Sequence, residues 1–224
     1  MCGRFAYPGD EAVVDVFNVE TVSAHLEPSG DVRPTQQVAM IVEDASSAER
    51  EQRGVFRELR SARWGLVPSW TKTLDKRFLL INARSETVLV KPSFRAAARR
   101  RRALIPASGY YEWTTEPGQP AKTPLFLHPA AGGVIGLAGV FEWWQVPADI
   151  QIRGAVDGWL CSVAIITRAA MDSLGHIHDR MPVVVPADLF DSWLDPHLVS
   201  EDEVDALLNQ LPDPVLVPTA QAPF

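Results

Sequence analysis

VIGLAGVF at residues 134–141 and LCSVAIIT at 160–167 are the stretches on which the fold turns. Each is rich in apolar and β-branched side chains and bounded by glycine or charge. That is strand length, too short for a helix that buries one face of its own. Runs of the same kind recur at QVAMIVE (37–43), RALIP (102–106), YYEW (110–113) and TPLFL (123–127). Helical signals are fewer. Asp10 to Val19 carries an apolar face with two acids in its first turn, and Ser93 opens a helix-compatible FRAAARR. Ser200 and Glu203 form an S-x-x-E capping box before VDALLNQL. The strands are not separated by regular helical crossovers, which disfavours a doubly wound parallel sheet. The expectation is an α+β fold with a mainly antiparallel, barrel-like or sandwich core and peripheral helices.

The chain has 224 residues, 46% of them hydrophobic, and neither a repeat nor a linker divides it, so residues 1–224 read as one domain. Two interruptions read as loops: the polar Asp44–Gly54, and 143–159, where Pro147, Gly154 and Gly158 break the pattern. No stretch approaches the roughly 20 apolar residues of a membrane span, and MCGRFAYPGD lacks a signal-peptide apolar core; a cytoplasmic protein is expected, without membrane contact. Cys2 and Cys161 have neither metal-ligand spacing nor a disulfide framework, and Cys161, within WLCSVAII, reads as a small buried hydrophobe.

A net charge of −7 argues at first against a nucleic-acid partner. Its distribution argues the other way. Residues 60–102 hold twelve Lys and Arg against Asp75 and Glu86, whereas 186–224 hold eight acids and no Lys or Arg. One basic face on an acidic remainder is a footprint of phosphate-backbone binding. Arg99 to Arg102 read equally as a solvated helix face, and four consecutive side chains cannot all face one ligand.

Four clusters carry chemistry. Cys2 follows the initiator, and a small second residue permits removal of Met1, leaving an α-amine and a thiol on adjacent carbons. Ordinary pKa values of about 8 for such an amine and about 8.5 for the thiol make both available near neutrality. With an aldehyde they would give an imine and then, by intramolecular closure, a thiazolidine. In INARSET (81–87), Asn82 and Arg84 share strand parity; they either converge on a ligand or fix a turn and a surface ion pair. In GYYEW (109–113), Glu112 sits among aromatics; buried, it would have a raised pKa useful for proton transfer, and facing water it would be ordinary. In HIHDRMPVVVP (176–186), His178 suits acid–base work and Arg180 a phosphate. His176 and His178 find no further ligand at a metal spacing, so no metal and no cofactor is expected.

Taken in order, MCGRF at the start, RWGLVPSW (63–70), NARSET (82–87), KPSFR (91–95), GYYEW (109–113) and HDRMP (178–182) resemble the SRAP family, the SOS-response-associated peptidase or YedK-like abasic-site-processing proteins. The resemblance spans nearly the whole chain. It implies a curved, mainly antiparallel sheet core around a DNA groove, and a DNA-damage enzyme that binds single-stranded DNA and links its N-terminal cysteine to the ring-opened aldehyde of an abasic site. Transferred to matching positions, Cys2 supplies the amine and the thiol, Asn82 orients that terminus, Glu112 moves protons, and His178 assists opening of the deoxyribose. Arg4, Arg84 and Arg180 are then phosphate contacts, and Trp64, Pro68 and Trp70 an apolar wall against bases. The expected partner is abasic single-stranded DNA, met by a monomer at the nucleoid. Two other readings compete: a thiol hydrolase or autopeptidase with Cys2 as nucleophile, and a non-catalytic single-strand binding module.

Overall fold

The computed structural model describes residues 2–43, 56–74, 79–114, 122–170 and 177–220. In chain order the elements are β1 (Phe5–Tyr7), α1 (Asp10–Val14), β2 (Thr21–Val22), β3 (Ser29–Val32), β4 (Gln37–Glu43), β5 (Arg57–Trp64), β6 (Asn82–Arg84), α2 (Ser85–Val88) and α3 (Arg95–Arg100). There follow β7 (Arg102–Ala107), β8 (Gly109–Thr114), β9 (Thr123–Pro129), β10 (Ile135–Gln145), β11 (Ala155–Val156), β12 (Trp159–Ala169), β13 (Arg180–Pro182) and β14 (Val184–Val185). A short 3₁₀ turn then leads into α4 (Phe190–Leu194), α5 (Glu201–Gln210) and β15 (Leu216–Thr219).

Strands β5, β4, β7, β10 and β12 pair antiparallel in that order, and β12 returns to β5 in parallel at Ser162↔Arg63 and Val163↔Trp64. The return closes a five-stranded barrel and removes two open edges. The outcome is therefore the barrel rather than the sandwich, mainly antiparallel but closed by a parallel pair. Packed against it is an antiparallel sheet in the order β15-β9-β8-β1-β3. The two runs quoted at the outset are β10 and β12. Both of their faces are buried along most of their length, one toward the barrel interior and the other under neighbouring elements. Double burial is why they read as continuous apolar runs rather than alternating ones.

The helices secure the outside. Trp193 of α4 donates its indole N–H to the Ala103 carbonyl, and Arg102 donates back to the Trp193 carbonyl at 2.7 Å. Phe17 stacks on Phe190 at 4.8 Å, so the first helix stops at Val14, with Asn18 in a left-handed turn at φ 52°, well short of the expected Val19. Ser200 stands at the N-cap of α5, as its sequence predicts, yet its hydroxyl makes no capping bond. Glu201, Asp202 and Glu203 in the first turn complement the helix dipole instead. The expected loop at 143–159 is shorter: β10 runs through Gln145, β12 begins at Trp159, and only the centre is irregular. The Asp44–Gly54 loop lies outside the described residues.

The neighbouring strands β8 and β9 approach closely at Gly109, where a Cβ would stand 2.5 Å from the Leu127 carbonyl oxygen and 2.6 Å from the Phe126 ring. A backbone carbonyl within a sheet cannot step aside. Gly109→Ala is expected to cost about 1–3 kcal/mol, lowering the thermal midpoint by roughly 2–10 °C; an unchanged midpoint in a melting experiment would contradict this packing.

Candidate active site

Cys2 precedes β1 and is fully buried. Its carbonyl accepts a 2.8 Å hydrogen bond from Asn82 Nδ2, and its sulfur accepts the backbone N–H of Arg4. Asn82 is there because β6 pairs in parallel with β12, with Asn82 level with Ile165 and the Ile165 amide donating to the Ile81 carbonyl at 3.0 Å. The same carbonyl accepts the indole N–H of Trp64 at 3.0 Å. Trp64 is thus no part of a wall against bases. It is fully buried inside the barrel, its ring 5.1 Å from that of Phe5, because Trp64 lies level with Val163 on the inward face of the closing pair. It positions the segment that carries Asn82.

Glu112 reaches the same place from β8. Alternation along that strand turns Tyr110 and Glu112 inward and Tyr111 and Trp113 outward, and the pairing Phe5↔Tyr110 sets it beside β1. Burial raises the Glu112 pKa above the carboxylate range, a shift opposed in part by the charge of His178. Burial, followed by the Glu112 charge, pushes the Cys2 thiol up, and burial also raises Tyr110, which senses both Cys2 and Glu112. Glu112, His178, Tyr110 and Arg180 line one narrow cleft. His178 Nδ1 lies 2.9 Å from the Arg180 amide and 2.7 Å from the Asp179 carboxylate. It can accept from the amide when neutral or donate to the carboxylate when protonated, not both. The amide belongs to fixed backbone, and the Asp179 side chain is mostly exposed. Residues spread over 176 positions are thus linked in a row: Asn82 bonds the Cys2 carbonyl, the Cys2 thiol senses Glu112, and Glu112 shares a cleft with His178.

The arginines divide. Arg84 is exposed and enters no ion pair among the described residues. Arg180 is gripped by Glu86, at 2.5 and 3.0 Å, and by the Thr167 carbonyl at 2.7 Å, and the Arg180 pair pulls the Glu86 pKa down to about 2. Arg4 is paired with Asp31. The Arg99–Arg102 run disperses: Arg99 holds the Val199 carbonyl, Arg101 pairs with Glu142, and Arg102 is buried with four bonds to backbone carbonyls. Most of that run is structural and does not form a phosphate face. Pro68 and Trp70 do share an apolar cavity of about 310 Å³ with Leu66, Val67, Leu74 and Leu80, and Trp70 is 65% exposed. Asp31 and Arg33 escaped the sequence reading because GDVR has neither periodicity nor motif to mark it.

Residues 1–220 match the family described as SOS response associated peptidase (SRAP). The chain belongs to that family. This SRAP chain is 31% identical over 211 residues to the abasic site processing protein YoaM of Bacillus subtilis, covering 93% of this chain and 85% of that protein. It is 32% identical over 190 residues to the abasic site processing protein HMCES of Pongo abelii, covering 75% of this chain and 52% of that longer protein. A solved structure from Bordetella bronchiseptica superimposes with a TM-score of 0.73 at 24% identity, over 97% of this chain and 98% of that one, and so shares the fold.

The buried carboxyl has a consequence for stability. Folding raises the proton affinity of Glu112, so its contribution is full at acid pH and declines as pH rises from the ordinary carboxylate value through the raised folded one. Glu112→Gln keeps the shape and removes the titration. The midpoint of the variant relative to wild type should therefore climb as pH rises from about 4 to about 7; thermal melts across that range giving a constant difference would mean that Glu112 is solvated.

Proposed function

We propose that this SRAP protein processes abasic sites in single-stranded DNA during the response to DNA damage, capturing them covalently on Cys2. The observation that carries the reading is the 2.8 Å bond from Asn82 to the Cys2 carbonyl, which holds the N-terminal segment near the inward-facing Glu112, whose pKa burial raises. The similarity to abasic site processing proteins over 93% of the chain supports the substrate class.

The chemistry follows from the groups. Hydrolytic removal of Met1 frees the Cys2 amine. Its lone pair adds to the aldehyde carbon of the ring-opened deoxyribose, and loss of water, with Glu112 giving a proton to the departing oxygen, yields the imine. The thiol then adds across C=N, its sulfur bonding to carbon and its proton passing to nitrogen, and a five-membered thiazolidine closes without any oxidant or reductant. His178, as the imidazolium, gives its proton to the ring oxygen while the C1′ hydroxyl loses one to water, so the sugar opens to the aldehyde. Arg84 and Arg4 face phosphates, Arg180 stays with Glu86 and the Thr167 carbonyl in place of the phosphate contact expected of it, and Trp70 and Pro68 stack against bases. The elevated thiol pKa bears on the competing peptidase reading. A buried, protonated thiol suits addition to an imine already formed next to it better than thiolate attack on an external peptide.

Incubation with single-stranded DNA bearing one abasic site, followed by denaturing electrophoresis, is expected to give a shifted band that Cys2→Ala abolishes. A wild type without an adduct, or a variant with the same adduct, overturns the proposal. Trp70→Ala should weaken binding of the undamaged strand by roughly 5- to 100-fold, measured by fluorescence anisotropy.

A further inference from the structure

Asp31 is the carboxylate that the sequence did not single out, and its setting is specific. Strands β1 and β3 pair at Phe5↔Val32 and Tyr7↔Ser29, so that Ala6 alone opposes both Gly30 and Asp31. That is a two-against-one β-bulge, a device that re-aims a side chain. Tyr111 fastens it by donating its hydroxyl to the Gly30 carbonyl at 2.6 Å. The re-aimed carboxylate receives Arg4 through both Nε and Nη2, and Arg33 through Nε at 2.9 Å and Nη2 at 2.5 Å. The Arg4 guanidinium also lies over the outward rings of Tyr111 and Trp113, at 5.8 and 5.7 Å from their centroids. The two guanidiniums hold the Asp31 carboxyl far below its ordinary range. All three side chains remain open to solvent, at 29% exposure for Arg4, 41% for Asp31 and 59% for Arg33.

We propose that Arg4 and Arg33 form a phosphodiester subsite beside the Cys2 pocket, which Asp31 occupies in the free protein as an internal stand-in for phosphate and yields when single-stranded DNA binds. A carboxylate and a phosphate present the same paired oxygens to a guanidinium fork, so one replaces the other without rebuilding the arginines. Arg4 is two residues from Cys2 in sequence, and its carbonyl accepts the Tyr111 amide, which ties the subsite to the strand that carries Glu112. Two cations against one anion leave an excess positive charge that attracts a strand, while Asp31 keeps undamaged DNA from being held tightly. This deepens the proposed function and rests on its single-strand reading.

The test uses the full chain and a fluorescein-labelled oligodeoxythymidylate without a lesion. Asp31→Asn is expected to tighten binding by about 3- to 10-fold and to steepen the slope of log K against log salt by about 0.7, one further phosphate neutralised. Where Asp31→Asn lowers the melting midpoint, the wild type itself serves: the Arg4 and Arg33 Nε–H resonances, identified with Arg33→Gln, should both move on addition of the same strand as phosphate replaces carboxylate. Equal or weaker binding by a folded Asp31→Asn, or resonances unmoved at saturating strand, overturns the inference alone. A wild type that binds no strand removes the single-strand reading beneath it.

Discussion

The parallel contact between β5 and β12 closes the barrel at two residue pairs, and the site hangs from it. Val163 and Trp64 lie level at that seam. The Gly65 amide donates to the Val163 carbonyl at 2.9 Å, and the Trp64 indole, driven inward by the closure, donates to the Ile81 carbonyl. Ile81 immediately precedes Asn82, and Asn82 holds the carbonyl of Cys2. Three hydrogen bonds thus connect the seam to Cys2. A tryptophan that fills the core and also satisfies a backbone carbonyl fixes the strand more tightly than apolar packing alone, because leaving that carbonyl buried and unpaired would cost about 1–3 kcal/mol.

Strand β8 supplies two unlike environments from one alternation. Its inward residues, Tyr110 and Glu112, are buried where ionisation is penalised; its outward residues, Tyr111 and Trp113, form an aromatic floor under an arginine. A slip of one residue would exchange the two sets, putting aromatics in the buried position of Glu112 and a carboxylate under the cation. The register is held on both sides, by Phe5↔Tyr110 toward β1 and by Glu112↔Leu125 toward β9.

Much of this was legible in the sequence, and where it was not, the reasons are physical. β4, β7, β8, β9, β10 and β12 are readable because burial on one or both faces imprints a pattern on their residues. β5 is not: RELRSARW places Arg57 and Glu58 in buried positions, and Arg57 is satisfied by Glu43, by Asp191 and by the Phe17 carbonyl. Asp191 is 134 positions away, and no local window holds that information. The residue types of the site were readable from their chemistry, but a motif does not say which way a ring points. Trp64 and Trp70 lie in the same eight-residue motif, one in the barrel interior and the other 65% exposed. Likewise RRRR announces charge without saying that most of it is spent on carbonyls and on Glu142.

That expenditure bears on why a covalent step fits this protein. Noncovalent affinity for a phosphate backbone grows with the number of cations released to it, and here Arg101 and Arg180 are committed to carboxylates, Arg99 and Arg102 to carbonyls, and Arg4 and Arg33 share Asp31. With a net charge of −7, long-range attraction is weak as well. Under the proposed function, a molecule built this way gains little from holding undamaged strands. On the proposed function, retention comes instead from a bond that only an aldehyde can form, so selectivity for the lesion resides in the chemistry of Cys2 rather than in the strength of the encounter.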